Sequence, residues 1–392
     1  MNATGHNANN HPVYTAAGAS YLAVQEAPEH TLAILTTHDE DRPFKGNHLN
    51  FIDLIAKGKE LGTFVYVVTV KDMRISGKRV PGYTYDMETK NWSQQLMPLP
   101  QVVYNRIPTR TDELQPEVQQ TIEACLRSSQ IRLFNPSFFN KWTLFEWLSK
   151  AKTTKKFIPA TRRLSQAVEL DSLLQQHPIV YLKPVRGKAG KGIMKVERIG
   201  ARTKMPYLLT MQNDKASMIT RHPHLGHLWN KLKTMMNSEE YIVQQGIALA
   251  SFNKRPFDLR VLVQKNHLGQ WSLTGIGARV AGKQSITTHV PRGGRIDEPE
   301  KLLNSVFGPE LTKSIFVRVR TAAFAIARQI EKASGHLLGE MSMDLGIDGA
   351  GQIWFFEANS RPMKFDEPDI RKKSLERIIQ YSQFLIKSRK KK

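Results

Sequence analysis

The chain has 392 residues, 40% of them hydrophobic, which is enough for two or three domains around a sizeable core. Its 57 Lys and Arg against 35 Asp and Glu give a formal net charge of +22, which favours acidic partners such as nucleotides, acidic polymers or nucleic acid. A single cysteine, Cys125, excludes an internal disulfide, and apolar runs of no more than strand length predict no membrane span.

The first third of the chain is predicted to form a small α/β domain over residues 30–139, preceded by a mobile segment over residues 1–29. This early segment is rich in Asn, His, Ala and Gly and lacks the basic and apolar stretches of a signal peptide. In the domain, buried-type strands alternate with amphipathic helices, the order of a parallel-sheet unit, without a glycine-rich dinucleotide fingerprint. The predicted elements are strands at 32–36, 64–70 and 101–106 and helices at 50–61 and 116–128.

A glycine-rich loop lies between two predicted strands in the middle of the chain. The first strand covers 179–184, the loop 187–192 and the second strand 193–199. Glycines let backbone N–H groups approach anions closely, so the loop suits phosphates, with Lys183 beneath it at the strand end. An ordinary hairpin turn is the alternative. The glycine-rich loop is not a Walker A motif. A near-match to that motif at 277–284 has Gln284 where the metal-binding hydroxyl belongs.

The region after this loop holds a histidine cluster and a short strand. His222, His224 and His227 suggest zinc, but their spacing matches no recognised site. A polar loop leading into a helix at 228–236 is the favoured interpretation. The strand predicted at 241–245 lies between two lobes, where its backbone groups can form hydrogen bonds to the edge of an adenine.

Two arginines are placed on neighbouring predicted strands, at 257–263 and 271–280. Asp258 and Arg260 share the face opposite the apolar residues of the first strand, and Arg279 ends the second. An arginine on an inner strand is costly to bury unless an acid or an anion meets it. Either Asp258 and Arg260 form a structural pair, or one of the arginines binds a phosphate, for which the guanidinium group is suited.

An acidic hairpin near the C-terminus is the most informative stretch, with apolar runs at 343–348 and 352–362 around an Asp-Gly-Ala-Gly turn. Glu357 and Asn359 are two residues apart, so their side chains share a face, and Asp344 on the partner strand comes close to Glu357. Two carboxylates and an amide are oxygen ligands that Mg²⁺ accepts beside waters and phosphates. Solvated acids on a surface hairpin are the alternative.

In this order the motifs resemble the ATP-grasp superfamily, and the spacing of the acidic set is similar to that of D-alanine–D-alanine ligase-like members. More narrowly, residues 43–47, 100–106 and 257–263 look like the YheC/YheD family, known as endospore coat-associated proteins of bacilli. The resemblance implies an α/β protein of α+β lobes with an ATP-grasp fold and an N-terminal Rossmann-like pre-ATP-grasp domain. The implied division is a mobile segment (1–29), the pre-ATP-grasp domain (30–139), a lid lobe with the glycine loop (140–250), a C-lobe with the metal site (251–388) and a basic tail (389–392).

The resemblance also assigns residues to ATP, to Mg²⁺ and to catalysis. The implied ATP contacts are Lys141, Lys183, Gly187, Gly190 and Gly192 at the phosphates and Gln244 and Gln245 at the adenine. The implied Mg²⁺ ligands are Asp344, Glu357 and Asn359, and the implied catalytic residues, at the γ-phosphate or an acyl-phosphate, are Arg260 and Arg279. Two positions depart from the pattern: Ser342 stands where the ligases often carry Arg, and Thr288-His289 stands where relatives favour Asn.

These features predict a Mg·ATP-dependent carboxylate–amine ligase acting on an acidic peptide or polymer. The expected location is the mother-cell cytoplasm or the spore coat, with coat proteins as partners. In such ligases positioning and charge neutralisation carry most of the catalysis. A nucleotide-binding coat scaffold without turnover is the alternative. An electrostatic nucleic-acid binder is a third hypothesis, disfavoured because neither a reading helix nor an aromatic platform is recognised.

Overall fold

A computed structural model describes residues 28–390 except 188–189, 201–202, 214–215, 284 and 364. Nearly all of the predicted mobile segment, the end of the basic tail and Gln284 of the Walker-like near-match therefore lie outside the described residues. Within the described part of the chain, three six-stranded sheets follow one another along the sequence, which confirms the mixed α/β class. None of the helices in this part is both long and apolar enough to span a membrane.

The N-terminal unit is a mainly parallel sheet covered by helices. Its elements are β1 (Thr31–Thr36), α1 (His48–Glu60), β2 (Phe64–Thr69), β3 (Arg79–Asp86), β4 (Asn91–Pro98), β5 (Val102–Asn105), α2 (Arg110–Glu113), α3 (Pro116–Arg127) and β6 (Arg132–Phe134). The sheet order is β4-β3-β2-β1-β5-β6, with β2, β1, β5 and β6 in parallel. Helix α1 packs on one face and α3 on the other, which is why β1 is buried along its whole length.

The edge hairpin β3–β4 was not predicted from the sequence. Strand β4 has the sequence NWSQQLMP and is mostly exposed, so it lacks the apolar run by which a strand is recognised. Its pairing with β3 runs from Arg79↔Pro98 to Asp86↔Asn91. The remaining predicted strands and helices of the unit are present within a few residues of the expected bounds.

The central unit contains an antiparallel sheet with two helices on one face. Its elements are β7 (Thr161–Leu164), α5 (Ala167–Gln176), β8 (Ile179–Pro184), β9 (Met194–Arg198), β10 (Tyr207–Asn213), β11 (Ala216–His222), α6 (Leu225–Met236) and β12 (Tyr241–Gln245). Helix α4 (Lys141–Lys150) precedes them in the chain and packs in the core of the C-terminal unit. The order is β11-β10-β9-β8-β12-β7, and the antiparallel pairing of β8 with β9 confirms the predicted strand–loop–strand arrangement. Because α5 and α6 pack on Val180, Leu182 and Val243, the alternating residues Lys183 and Gln244 lie on the opposite face.

The C-terminal unit contains the acidic hairpin. Its elements are β13 (Ser251–Phe252), β14 (Arg255–Lys265), β15 (Trp271–Val280), β16 (Arg295–Asp297), α7 (Pro299–Ser334), β17 (Glu340–Ile347), β18 (Ile353–Asn359) and α8 (Pro368–Lys390). The order is β16-β15-β14-β17-β18, with β13 paired to β14. Helix α7 begins well before the helix predicted from Leu311, and Gly308 interrupts it with a φ of 75° just before Pro309, so the sequence pattern starts afresh there.

The two faces of the C-terminal sheet have different coverings. Apolar residues such as Leu259 and Met343 pack against α7. On the other face, α8 covers one end, where Ser374 accepts a hydrogen bond from Gln264 on β14, and α8 also joins the core of the N-terminal unit through Tyr381. The other end of that face holds the polar residues predicted to form a site.

Candidate functional site

Strand register brings the acids of the C-terminal sheet together. Asp344 is the cross-strand partner of Arg260 on β14 and of Glu357 on β18. The predicted approach of positions 344 and 357 across the hairpin is therefore confirmed. Asn359 lies two residues further along β18, opposite Ser342. Asp344 is buried, whereas Glu357 and Asn359 are half-buried, so the acid pair lies at the boundary between the sheet and an accessible space.

Arg279 is held between two carboxylates. Its Nε and Nη2 donate to the two oxygens of Asp258 at 2.9 and 2.6 Å, and Nη2 lies 2.9 Å from Oδ2 of Asp344. The predicted Asp258–Arg260 pair is thus replaced by Asp258–Arg279. The reason is geometric: residues two apart on a strand are about 7 Å apart, while Arg279 stands directly opposite Asp258. Thr288 completes the cluster by donating to Oδ2 of Asp258 at 2.7 Å.

Arg260 has a different environment from Arg279. It is half-buried, and its guanidinium carbon lies 5.5 Å from the centre of the Phe365 ring. Its charge contributes to the field at Asp344. Of the two proposed catalytic arginines, Arg279 is therefore already paired with two carboxylates, and Arg260 is the better placed to bind a phosphate.

A histidine joins the acid pair. One ligand atom each of His289, Asp344 and Glu357 lies within 4.8 Å of the other two. Oδ1 of Asp344 and Nδ1 of His289 are buried and have no hydrogen-bond partner. Unpaired buried polar atoms are costly, so the donors present fit a divalent cation. The sequence assigns His289 no role; the one feature that distinguishes this position is that Thr288-His289 stands where relatives favour Asn.

The predicted phosphate lysines approach this cluster from helix α4 and strand β8. Lys141, the first residue of α4, is buried, and its Nζ lies 3.4 Å from Oε2 of Glu357. Nζ of Lys183 donates to Oε1 of Gln244 at 2.5 Å and lies 5.2 Å from the ring centre of Phe356. Both lysines are therefore within the same polar region as the acids. Lys141 reaches it from α4, which packs in the core of the C-terminal unit, and Lys183 reaches it from the central sheet.

The predicted adenine residues are anchored to the segment around β7. Gln244 donates through Nε2 to Oγ1 of Thr161 at 2.9 Å. Oε1 of Gln245 accepts the N–H of Ala160 at 3.1 Å. These bonds hold the β12 strand, where the central and C-terminal units meet, in a defined position.

The glycine loop approaches the site at Gly190, beside His289. Gly190 and Gly192 have φ values of 73° and 75°, which favour glycine, and Gly187 lies beside Pro184. A Cβ at Gly190 would lie 3.2 Å from Nδ1 of His289. Residues 188 and 189 of the loop lie outside the described part of the chain. Gly190 is therefore next to the histidine that joins the acid pair, while Gly187 and Gly192 lie beside Pro184.

Burial sets the protonation of the site. Burial, reinforced by Lys141, lowers the pKa of Lys183 to about 7. Burial by itself would raise the pKa of Asp344, but Arg279 and then Arg260 outweigh it and hold the pKa below its ordinary value. Burial also lowers the pKa of His289. At neutral pH the site therefore combines an ionised aspartate, a neutral imidazole and a lysine that gains or loses its proton easily.

The histidine cluster on β11 and α6 is occupied by hydrogen bonds within the chain. Nδ1 of His222 lies 2.9 Å from Nδ1 of His227, and Nε2 of His222 lies 2.9 Å from Oγ1 of Thr220. His224 caps α6 by accepting the N–H of His227 at 3.1 Å. The position of His224 before α6 agrees with the predicted polar loop, whereas His222 ends strand β11 and His227 lies within α6, so the loop is shorter than predicted.

Comparison with known proteins gives consistent results. A family model described as YheC/D like ATP-grasp matches residues 130–385. The endospore coat-associated protein YheD of Bacillus subtilis is 31% identical over 335 residues, which cover 84% of this chain and 72% of that protein. YheC of the same organism, also named an endospore coat-associated protein, is 21% identical over 314 residues, covering 79% and 84%. Among solved structures, D-alanyl-alanine synthetase A from Vibrio cholerae has a TM-score of 0.51 at 15% identity, covering 93% of this chain and 98% of that one, which supports the predicted fold.

Proposed function

Because this chain belongs to the YheC/D-like ATP-grasp family, we propose that it binds Mg·ATP and uses it as a carboxylate–amine ligase. The proposed substrate is an acidic peptide or polymer. The names of the Bacillus subtilis relatives motivate the spore coat, or the mother-cell cytoplasm in which a coat is assembled, as the place of action.

The observation that carries this proposal is the meeting of two sheets at one polar site. Lys183 and the glycine loop come from the central sheet, Asp344 and Glu357 come from the C-terminal sheet, and Lys141 reaches Glu357 from helix α4. A triphosphate needs cationic groups and backbone N–H groups on one side and a metal-binding acid pair on the other. Neither sheet supplies both sets alone.

In the proposed reaction the chain mainly positions and neutralises charge. Lys141 and Lys183 would contact the phosphates beneath the loop glycines, and Gln244 and Gln245 would lie at the adenine. Bound Mg²⁺ would supply charge neutralisation at the phosphates, held by Asp344, Glu357 and Asn359.

The chemical step would convert a carboxylate into an amide. The substrate carboxylate attacks the γ-phosphorus, ADP leaves, and an amine then displaces the phosphate with loss of a proton. Arg260 is the better candidate to stabilise the transferred phosphoryl group, because Arg279 is already neutralised by Asp258 and Asp344. With Ser342 in the position of the usual Arg, Arg260 would take over that role.

The charge of the chain supports an acidic substrate. A net charge of +22 produces a positive field that attracts polyanions and accelerates their encounter with the site. Lysines and arginines are spread along the sequence from Arg42 onward rather than gathered in one helix, which suits an extended acidic chain better than the grooves of DNA.

Isothermal titration with ATP and Mg²⁺ tests the first half of the proposal. Asp344→Asn should weaken Mg·ATP binding by about tenfold or more, since it removes an ionised metal ligand. Asp41→Asn, the same change at an exposed aspartate, is the matched control and should bind as wild type does. Equal binding by wild type and Asp344→Asn would end the proposal.

Release of ADP tests the second half. Turnover in the presence of spore-coat extract, amino acids or acidic peptides, lost in Asp344→Asn, would support a ligase. Mg·ATP binding without ADP release would favour the coat scaffold, for which the neutralised Arg279 is the motivating observation. Nucleic-acid binding with a steep salt dependence, unaffected by Asp344→Asn, would favour the electrostatic binder.

A further inference from the structure

His289 reaches the acid pair from a separate element. It lies in the connection between β15 and β16, whereas Asp344 and Glu357 lie on β17 and β18. Nevertheless, one ligand atom from each of the three lies within 4.8 Å of the other two. Three donor atoms this close together can all coordinate a single metal ion.

The buried atoms of this group are unsatisfied. Nδ1 of His289 and Oδ1 of Asp344 are buried without a hydrogen-bond partner. Asp344 is 4% exposed, so its free oxygen is shielded from bulk water. Nη2 of Arg279 contacts the other oxygen of Asp344, Oδ2, at 2.9 Å. A cation shared with the imidazole would remove the cost of leaving the carboxylate oxygen unpaired.

We propose that His289 is an additional side-chain ligand of the metal site, beside Asp344, Glu357 and Asn359, and that it shifts the preference of the site from Mg²⁺ toward Mn²⁺. This inference rests on the proposed function, because it concerns the same metal-binding acids. Mg²⁺ takes oxygen ligands almost exclusively, whereas an imidazole nitrogen favours transition-metal ions. Mn²⁺ accepts carboxylates and imidazole together and supports phosphoryl transfer, so it matches this donor set better than Mg²⁺ does.

The glycine loop passes close to the imidazole of His289 at Gly190. At Gly190 a Cβ would lie 3.2 Å from Nδ1 of His289 and 3.5 Å from Oγ1 of Thr287, and the φ of 73° disfavours any other residue. Oγ1 of Thr287 is itself buried without a partner. The imidazole, the acids and the loop proposed to cover the phosphates are thus parts of one continuous site.

Electron paramagnetic resonance of bound Mn²⁺ tests the ligand directly. The full chain is used without a polyhistidine tag and with ADP present. Spin-echo modulation from a directly bound nitrogen is expected in wild type, should change when the histidines carry heavy nitrogen, and should vanish in His289→Asn. His267→Asn, the same change at an exposed histidine in the β14–β15 turn, should leave the modulation intact. Circular dichroism melting establishes that each variant is folded.

Competition between the two ions tests the preference. In His289→Asn, the concentration of Mg²⁺ that releases half of the bound Mn²⁺ should fall by about tenfold or more, because an amide oxygen replaces the nitrogen donor. Unchanged competition together with no histidine modulation in wild type would overturn this inference and leave the Mg·ATP proposal standing. If wild type binds neither ion with ADP and Asp344→Asn behaves identically, the proposed function itself fails.

Discussion

Two acids on strand β17, Glu340 and Asp344, lie on the same face of the sheet but differ in how many hydrogen-bond partners their carboxylates have. The carboxylate of Glu340 accepts hydrogen bonds from the hydroxyl of Tyr104, from Arg106 at 3.4 Å and from Gln264 at 3.1 Å. Asp344 has Arg279 at one oxygen, while the other oxygen is buried without a partner. One acid is fully satisfied and the other is not.

Burial does not account for this difference, because Glu340 is 3% and Asp344 4% exposed. What differs is which units meet at each acid. Tyr104 and Arg106 bring the N-terminal unit onto the Glu340 end of the strand, and Arg106 also donates to the carbonyl of Pro362 at 3.2 Å. A satisfied buried network gives a rigid joint, whereas an unpaired buried oxygen suits a ligand. The strand thus carries a structural end and a functional end.

The largest expected effect separates the two ends by stability. Glu340→Ala should lower the free energy of unfolding by about 3–5 kcal/mol, because it leaves the buried guanidinium of Arg106 without its carboxylate and the hydroxyl of Tyr104 without its acceptor. Asp344→Ala should cost under about 1 kcal/mol, since Arg279 keeps both bonds to Asp258 and Asp344 already leaves one oxygen unpaired. Urea unfolding measures both, and equal losses would contradict the contrast.

The next effect probes the functional end through Lys141. Lys141→Met should raise the Kd for Mg·ATP by about 10–100-fold, because it removes a buried cation from the phosphate side. Lys150→Met, at the exposed last turn of the same helix, should leave the Kd unchanged. Titration calorimetry provides the comparison. A wild-type Kd in Lys141→Met would exclude this lysine from the nucleotide site.

The pH dependence of nucleotide affinity should follow Lys183. Its pKa is about 7 in the free protein, and bound phosphates would favour its charged form, so binding above this pH must take up a proton. Affinity should fall by up to about tenfold per pH unit between about pH 7 and pH 9. Proton uptake appears in calorimetry as a dependence of the heat on the buffer, and Lys183→Met should abolish it.

The free protein should respond to pH in the opposite direction. Above the folded pKa of Lys183, about 7, and below its ordinary value of 10.5, the unfolded chain holds the proton that the folded chain has lost. The unfolded state then binds more protons, so the contribution of Lys183 to stability rises with pH in this window. Urea unfolding of wild type and Lys183→Met at several pH values isolates that contribution.

The smallest expected effect concerns the loop glycine. Gly190→Ala should weaken Mg·ATP binding several-fold and cost about 1 kcal/mol of stability, because its backbone φ is positive and the added Cβ would crowd His289. Gly335→Ala, at the end of α7, has a φ of 68° and no atom within 4 Å of an added Cβ. It should lose similar stability without losing affinity. A matching loss of affinity in Gly335→Ala would show that the effect is not local to the loop.

Much of the fold was predictable because its patterns are local. Apolar strands such as β1, β8 and β14 and the amphipathic helices have side-chain periods that a short window reveals. The acidic hairpin was predictable for the same reason, since its turn and alternation are contiguous. The edge strands β4 and β11 were not, because exposed strands at a sheet edge are defined by their partners rather than by their own composition.

The sequence by itself determined the chemistry on offer: a glycine-lysine loop, buried strands and the acids Asp344 and Glu357, sufficient to indicate the ATP-grasp family. Only the tertiary structure decided which groups meet. Strand register paired Asp258 with Arg279 instead of Arg260, and the path of a loop distant in sequence placed His289 beside the acids. Such contacts depend on the relative positions of whole sheets, and no local periodicity encodes that information.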